Sequence, residues 1–162
     1  MKAWIEPIAD MEACDEAVDW CEQFDSLDEA WQACECGDWM LWLLGMLSGP
    51  PESDSRKKLV LVVCQCARLA LPYVKKGEMR PLKAIETAEA WARGDEGITL
   101  QDVRDAAARA ASAASAAARV AYATYAADAA ARASDAAYVD TLRECADIVR
   151  EYYPVAPSME GG

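Results

Sequence analysis

Seven cysteines are the most reactive side chains in this 162-residue sequence, and four of them form two Cys-x-Cys pairs. Zinc sites usually separate paired ligands by two to four residues, so that both thiolates reach one ion. On a helix, residues i and i+2 lie about 200° apart around the axis and cannot face the same ion. The spacing therefore predicts reduced, structural thiols and no metal site at Cys14, Cys21, Cys34, Cys36, Cys64, Cys66 and Cys145.

Histidine is absent from the sequence. Its absence excludes Ser-His and Cys-His catalysis and removes the most common metal ligand. The sequence also contains no phosphate-binding loop, dinucleotide fingerprint or nucleophile elbow. These observations predict a non-enzymatic protein with no catalytic residues and no cofactor. A helical protein that binds a metal or a small molecule through its cysteines remains an alternative.

Negative charge is concentrated in the first third of the chain. Residues 1–54 hold fourteen Asp and Glu and one Lys, a net charge of −13, whereas residues 55–162 have a net charge of +1. Such asymmetry is typical either of a solvated surface or of a surface that binds a basic partner. Direct binding to nucleic acid is disfavoured, because phosphates repel carboxylates. The predicted partner-binding residues are Glu12, Asp15, Asp19, Glu22, Asp25, Asp28, Glu29, Glu35 and Asp38.

Helix signals run through the sequence, and no stretch combines period-two alternation with hairpin turn residues. A first helix is predicted over residues 10–24, with an apolar face opposite an acidic one. Ser26 and Glu29 have the spacing of a capping box for the next helix. Two apolar helices, in GDWMLWLL and KLVLVVCQCARLAL, are predicted to form the interior. The tryptophans at helical positions are also assigned to the core, namely Trp20, Trp31, Trp39, Trp42 and Trp91.

Alanine dominates the last third, where it supplies twenty of the thirty-two residues 106–137. Alanine is the strongest helix former, but one helix from Leu100 to Tyr153 would be roughly 80 Å long. A break or sharp bend is therefore expected near Ala133–Val139. The sequence as a whole predicts an all-α, single-domain multi-helix bundle over residues 1–162. Its predicted parts are an acidic helical third (1–54), central helices (55–98), an Ala-rich helical region (99–153) and a frayed tail (154–162).

The cysteines and the apolar runs indicate in which cellular compartment the protein is expected. An odd cysteine count, together with an N-terminus that lacks the order of a secretory signal, predicts reduced thiols in the cytoplasm. The longest apolar run, from Leu59 to Leu71, is too short to span a bilayer. No membrane contact is therefore expected.

Four segments of the sequence together point to a known family: ACDEAVDWCEQFDSLDEAWQACECGDWMLWLL, RKKLVLVVCQCARLALPYV, RPLKAIETAEAWARG and the ending ECADIVREYYP. They cover most of residues 13–154 and resemble the immunity proteins of bacterial polymorphic toxin systems, an all-helical family also met in phage and mobile-element neighbourhoods. The resemblance implies a helical protein that neutralises another protein by binding it, and it brings no catalytic residues.

Two versions of this function remain open. One is an immunity protein paired with a secreted or contact-delivered toxin. The other is a phage-encoded anti-defence protein, for example an anti-CRISPR-like nucleic-acid mimic. In both, the expected partner is a protein with a basic surface, such as a toxin, a nuclease or a defence complex. If the acidic residues are not the binding surface, the alternative is the Ala-rich helix around Arg119, Tyr122 and Tyr125.

Overall fold

The computed structural model describes residues 1–122 and 127–159, with side chains described for residues 1–112 and 138–159. Every regular element in these ranges is helical, which confirms the all-α prediction. A 3₁₀ turn at Leu71–Tyr73 separates the fifth and sixth α-helices. The α-helices are α1 (Glu6–Asp10), α2 (Asp15–Cys21), α3 (Leu27–Ala33), α4 (Gly37–Leu47), α5 (Asp54–Arg68), α6 (Arg80–Arg93), α7 (Leu100–Tyr122) and α8 (Ala127–Tyr152).

The chain forms two compact units. Unit 1 consists of Met1–Leu59 and Leu142–Gly162, and unit 2 of Val60–Thr141. Helices α5 and α8 therefore each contribute residues to both units. None of the helices in the described ranges has the length and apolarity that a membrane span requires. The single-domain organisation over residues 1–162 stays a prediction.

The first helix, predicted over residues 10–24, is shorter in unit 1, where α1 ends at Asp10 and α2 spans Asp15–Cys21. Glu12 has a φ of 65°, in the left-handed region that an α-helix of L-residues excludes. Cys14 then takes an extended conformation as the N-cap of α2. The prediction was wrong because the apolar periodicity continues across the break. Ile8 of α1 and Cys21 of α2 are both buried.

Helix α3 begins as predicted. The Ser26 hydroxyl accepts a hydrogen bond from the Glu29 N–H at 3.2 Å. The Glu29 carboxylate in turn accepts one from the Asp25 N–H at 3.0 Å, one residue before the N-cap. These bonds satisfy N–H groups that have no partner within the helix, as a capping box does. With its start fixed in this way, α3 buries Ala30 and Trp31.

Helix α4 is interior on one side only. Met40, Leu43 and Leu44 are buried, as the prediction for GDWMLWLL requires. Trp39 and Trp42 are half-exposed on the same helix. The helix therefore supplies both a core face and an aromatic face that reaches solvent.

The tryptophans divide between the core and the surface. Trp31 in unit 1 and Trp91 in unit 2 are buried, as predicted. Trp20, Trp39 and Trp42 are only half-buried, so their assignment to the core was wrong. Helices α2 and α3 have seven residues each and are too short to cover every large ring of unit 1.

The start of α4 lies directly against the end of α8. A Cβ atom at Gly37 would lie 2.3 Å from the Cβ of Cys145 and 2.9 Å from the backbone nitrogen of Ala146. Both α8 residues are buried, and the second obstacle is backbone, which cannot move aside as a flexible side chain can. Glycine is therefore required here for close approach.

Arg150 of α8 contacts the C-terminal end of α3, which precedes α4 in the chain. Its Nη1 atom donates to the carbonyl oxygens of Trp31 at 3.3 Å and Cys34 at 2.6 Å. Its Nη2 atom donates to the carboxylate of Asp147 at 2.7 Å. The two carbonyls belong to the last turn of α3 and to its C-cap residue, where a helix leaves acceptors unsatisfied. The guanidinium thus caps α3 from a neighbouring helix.

The start of the predicted frayed tail is in fact bound to α3. The Trp31 indole N–H donates to the Tyr153 carbonyl at 2.9 Å, and the Gln32 amide donates to the Pro154 carbonyl at 2.6 Å. The Ala156 N–H donates to the Asp28 carboxylate at 3.1 Å. Fraying was expected because of the proline, glycine and small polar residues, but hydrogen bonds with α3 hold the backbone up to Ala156.

In unit 2, α6 packs against α7. Ile85 and Trp91 of α6 and Ala106 of α7 are buried. Helix α6 ends at Gly94, whose φ of 80° is the left-handed conformation typical of a glycine C-cap. Helix α7 then begins with a reciprocal cap between the side chains and backbone amides of its first turn.

A two-bond ion pair joins α5 to α6 in unit 2. Arg68 Nε lies 2.9 Å from Glu89 Oε1, and Arg68 Nη2 lies 2.8 Å from Glu89 Oε2. The Glu89 side chain is largely buried, at 14% exposure. The hydrogen bonds from Arg68, followed by its charge, lower the pKa of Glu89 below its usual value. This geometry is the strong, bidentate form of an Arg–carboxylate interaction.

The helix break expected near Ala133–Val139 is not there, because α8 runs through these residues from Ala127 to Tyr152. Alanine and its neighbours in this stretch give no local reason to stop a helix. Helix α7 ends at Tyr122, and residues 123–126 between the two helices lie outside the described part of the chain.

Two alanine substitutions in α4 should have opposite effects on stability. Gly37→Ala brings a methyl group too close to Cys145 and to the backbone of Ala146 in α8. It should therefore lower the free energy of unfolding by about 1–3 kcal/mol. Gly45→Ala meets no atom within 4 Å. It should raise the free energy of unfolding by about 0.5–1 kcal/mol, because alanine favours the helix. Urea denaturation of both variants measures the two free energies of unfolding. An equal change in both variants would contradict the packing described for Gly37.

Replacing Glu89 should produce a pH-dependent loss of stability. The folded-state pKa of Glu89 is lowered, so its contribution is present above the usual glutamate pKa and is lost as the pH falls through the folded-state value. Glu89→Gln should therefore be less stable than the parent at about pH 7, and the difference should shrink towards about pH 3. Glu96→Gln, at an exposed position, is the control for denaturation at both pH values. A difference that is constant with pH would contradict the assignment.

Candidate protein-binding face

The nine predicted partner-binding acids all lie in unit 1, and the structure leaves every one of them exposed. They come from the α1–α2 turn, α2, the capping turn before α3, α3 itself, and the α3–α4 turn with the start of α4. Their exposure is compatible with partner binding. Their internal contacts, however, separate them into two groups.

Most of the nine acids interact within unit 1. Glu35 pairs with Arg143 at 3.1 Å, and Asp25 pairs with Lys2 at 3.1 Å. A carboxylate oxygen of Glu22 lies 3.4 Å from the amino nitrogen of Met1. Asp28 and Glu29 accept the backbone hydrogen bonds described above, and Asp38 also has an interaction within the chain. These six carboxylates therefore already have interactions within the chain.

The remaining three, Glu12, Asp15 and Asp19, form the acidic stripe. Within the described ranges, none of them makes a side-chain hydrogen bond or an ion pair. Asp15 and Asp19 are four residues apart on α2, a spacing at which like charges repel. Asp19 also lies in the C-terminal half of the helix, where the helix dipole disfavours negative charge. Asp19 therefore costs some stability without an ion pair in the described ranges to offset it, whereas Asp15 in the first turn is favoured by the helix dipole.

An apolar pocket of about 360 Å³ lies beside the acidic stripe, between α1, α2, α3 and α4. Its lining includes the half-exposed indoles Trp20, Trp39 and Trp42. The Trp20 and Trp39 rings are 5.8 Å apart between centroids and tilted by 55°. Glu12 belongs to the stripe and also lines the pocket, so charge and apolar surface meet at this residue.

Sequence reasoning missed this pocket because it assigned the tryptophans to the core. The signal that could have revealed it is their density, since five of the six tryptophans lie in residues 1–42. The helices of this segment are also acidic on their outer faces, and each is short. Such a segment has more aromatic surface than its own backbone can enclose.

Cys34 and Cys64 have the properties of structural thiols. Cys34 donates from its thiol to the Cys36 carbonyl at 3.4 Å, and Cys64 donates to the Ile85 carbonyl at 3.7 Å. Burial raises the pKa of the Cys34 and Cys64 thiols to about 11. They are therefore protonated at neutral pH, whereas metal binding and nucleophilic attack require the thiolate. Among the described residues, no group of three or more Cys, Asp or Glu side chains is placed to hold a metal ion.

The alternative surface around Arg119, Tyr122 and Tyr125 lies outside the described residues and side chains. The candidate face is therefore the acidic stripe with its adjoining pocket in unit 1.

The reaction of the thiols with a reagent in solution measures directly which cysteines are exposed. Cys14 is exposed, Cys36 is half-buried and the other five thiols are buried. We expect one thiol of the native protein to react rapidly with a disulfide reagent such as DTNB, and Cys14→Ser to abolish that phase. Protein denatured without reductant should titrate seven thiols. A count below seven, or a rapid phase that survives in Cys14→Ser, would contradict the assignment.

The described residues form an all-helical protein with an exposed acidic stripe and an adjoining apolar pocket in unit 1. The chain belongs to the Imm-5 like putative immunity protein family, which matches residues 49–143. This match confirms the family resemblance found in the sequence. No curated protein and no solved structure matches the chain.

Family membership indicates an immunity-type role and a protein target, and immunity proteins generally act by binding rather than by catalysis. The matched residues begin after α4 ends at Leu47. The acidic stripe and the apolar pocket therefore lie outside the family match.

Proposed function

We propose that this protein is a non-enzymatic immunity protein that neutralises a toxin or a nucleic-acid-handling protein by direct binding through the acidic face of unit 1. The acidic stripe is the observation that carries the proposal. Its charges are exposed, make no ion pair in the described part of the chain, and repel one another on α2. A partner with a basic surface would neutralise them, and binding would remove their cost.

The chemistry of the stripe favours a basic target. Enzymes that handle nucleic acids carry basic surfaces, because they must neutralise phosphates. An acidic inhibitor competes for such a surface and blocks access to the substrate. Complementary charge also attracts the two proteins before contact, which raises the association rate and disfavours acidic partners.

The immunity role is preferred over an anti-defence role because the family match supports it. The neighbouring gene distinguishes the two versions. A toxin gene beside this one supports immunity, whereas neighbouring phage structural genes would support the anti-defence version. The acidic face would act in the same way in both versions.

Reversing two charges of the stripe should slow binding without damaging the fold. We expect Asp15→Lys combined with Asp19→Lys to lower the association rate with the toxin encoded by the neighbouring gene by about tenfold or more. The free energy of unfolding should change little, because both positions are exposed and the like-charge spacing on α2 is kept. Stopped-flow association at low and high salt, with urea denaturation in parallel, measures both quantities.

The matched control is Glu52→Lys combined with Glu96→Lys. It changes the net charge equally at two exposed carboxylates that make no ion pair in the described part of the chain. It should leave the association rate close to that of the parent. If the stripe variant folds and binds as fast as this control, recognition does not depend on the acidic stripe. Salt should also slow the parent's association, since exposed charges are screened over about 10 Å at 0.1 M.

A further inference from the structure

The apolar pocket of unit 1 is unlike an ordinary surface depression. Its volume of about 360 Å³ lies within the usual range for binding pockets, about 300–1,000 Å³. Three half-exposed indoles line it, together with the small side chains of Ala13 and Ala17. Tryptophan and its aromatic relatives are the residues most often found at the energetic centre of protein interfaces. The pocket therefore has both the size and the lining of an anchor site.

Charge around the pocket restricts what can occupy it. Apart from thiols, the ionisable side chains that line it are Glu12 and Asp38, and both are carboxylates. The acidic stripe continues from Glu12 along α2, and residues 1–54 contain a single lysine. An occupant must therefore combine an apolar part for the indoles with positive charge at the rim. An acidic or purely polar occupant would be repelled or would leave the indoles exposed.

The backbone of the described chain restricts the occupant further. Regular structure in these ranges is entirely helical, so no sheet edge is available to pair with an extended peptide. An amphipathic helix in an apolar groove is a recognition mode that needs only side-chain contacts, and the mixed lining of Ile8, Leu27 and Leu43 beside the indoles suits its leucine-type anchors. In that mode, one or two large apolar residues enter the pocket while basic residues on the flanks meet the carboxylates.

We infer that this pocket receives the apolar anchor residues of a basic amphipathic helix on the target protein. The inference rests on the proposed function, because it assigns the pocket to the same partner as the acidic stripe. It assigns a different role to each feature. The stripe attracts the partner from a distance, and the pocket holds the anchor after contact.

Three synthetic peptides of equal length test this assignment. The first has leucines at helical i, i+3, i+4 and i+7 spacing with lysines elsewhere, the second permutes the same residues so that no apolar face forms, and the third replaces lysine with glutamate. We expect the first peptide to bind and to shift the tryptophan emission of the protein to shorter wavelength. The other two should bind at least about tenfold more weakly, since both apolar contact and charge are required. Equal binding of the first two peptides would overturn the inference.

A substitution that fills the pocket separates it from the rest of the acidic surface. Ala13 lines the pocket, and Ala13→Trp should weaken binding of the first peptide by about tenfold or more. Ala67→Trp adds the same ring at an exposed position of α5 that does not line the pocket and should change affinity less than about twofold. If Ala13→Trp does not fold by circular dichroism, Trp39→Ala replaces it, since it removes one wall of the pocket and should also weaken binding.

Other occupants give distinct outcomes. If the neutral dye N-phenyl-1-naphthylamine binds and Ala13→Trp blocks the dye but not the peptide, the pocket is a small-molecule site and the inference is wrong. If concentrated protein dimerises and Ala13→Trp prevents dimerisation, the occupant is a second copy and the inference is again wrong. Failure of the proposed function remains distinguishable. If the proposed function is wrong, the stripe variant binds the neighbouring gene's toxin as tightly as the parent does. If only the inference is wrong, the stripe variant binds the toxin weakly, whereas Ala13→Trp and Trp39→Ala bind it as tightly as the parent does.

Discussion

The arrangement of unit 1 depends on the contact between the end of α8 and the connection from α3 to α4. Gly37 allows the first turn of α4 to lie against the backbone of α8. One α-helical turn further along α8, Arg150 satisfies the last carbonyls of α3. The two contacts fix where α3 ends and where α4 starts. The walls of the apolar pocket come largely from these two helices and from α2, so the pocket follows from this packing.

The same packing explains how unit 1 tolerates its charge. Helices α1, α2 and α3 have five, seven and seven residues, lengths at which an isolated helix is not stable in water. Their stability comes from burying one face and from the caps at their ends. The short helices that carry the acidic outer faces are therefore stabilised by burial of their inner faces rather than by helix propensity. Residues that cost stability on such a surface are expected where function needs them, since activity and stability are often in conflict.

The sequence predicted those features that local chemistry determines. The capping box at Ser26 needs only residues three apart, and an all-α fold needs only the repeated helix signals. The break at Glu12 could not be read in this way, because it depends on a left-handed backbone conformation that the apolar pattern does not mark. The half-exposure of Trp20 and Trp39 depends on how far α2 and α3 reach over α4. The binding of the tail to Trp31 joins residues more than a hundred positions apart, which no local pattern records.

Charge and apolar surface act at different stages of protein association, and the role we propose for the acidic face uses this difference. Long-range attraction by exposed carboxylates changes how often two proteins meet in a productive orientation, and salt weakens it. An anchor in a desolvated pocket changes how long the complex lasts, and most differences in affinity arise from dissociation rates. An immunity protein needs both properties, because it must capture its toxin quickly and then hold it. Glu12 lies where the stripe meets the pocket, and its left-handed backbone turns the chain between α1 and α2 at this point. The break in the first helix thereby brings the two surfaces together.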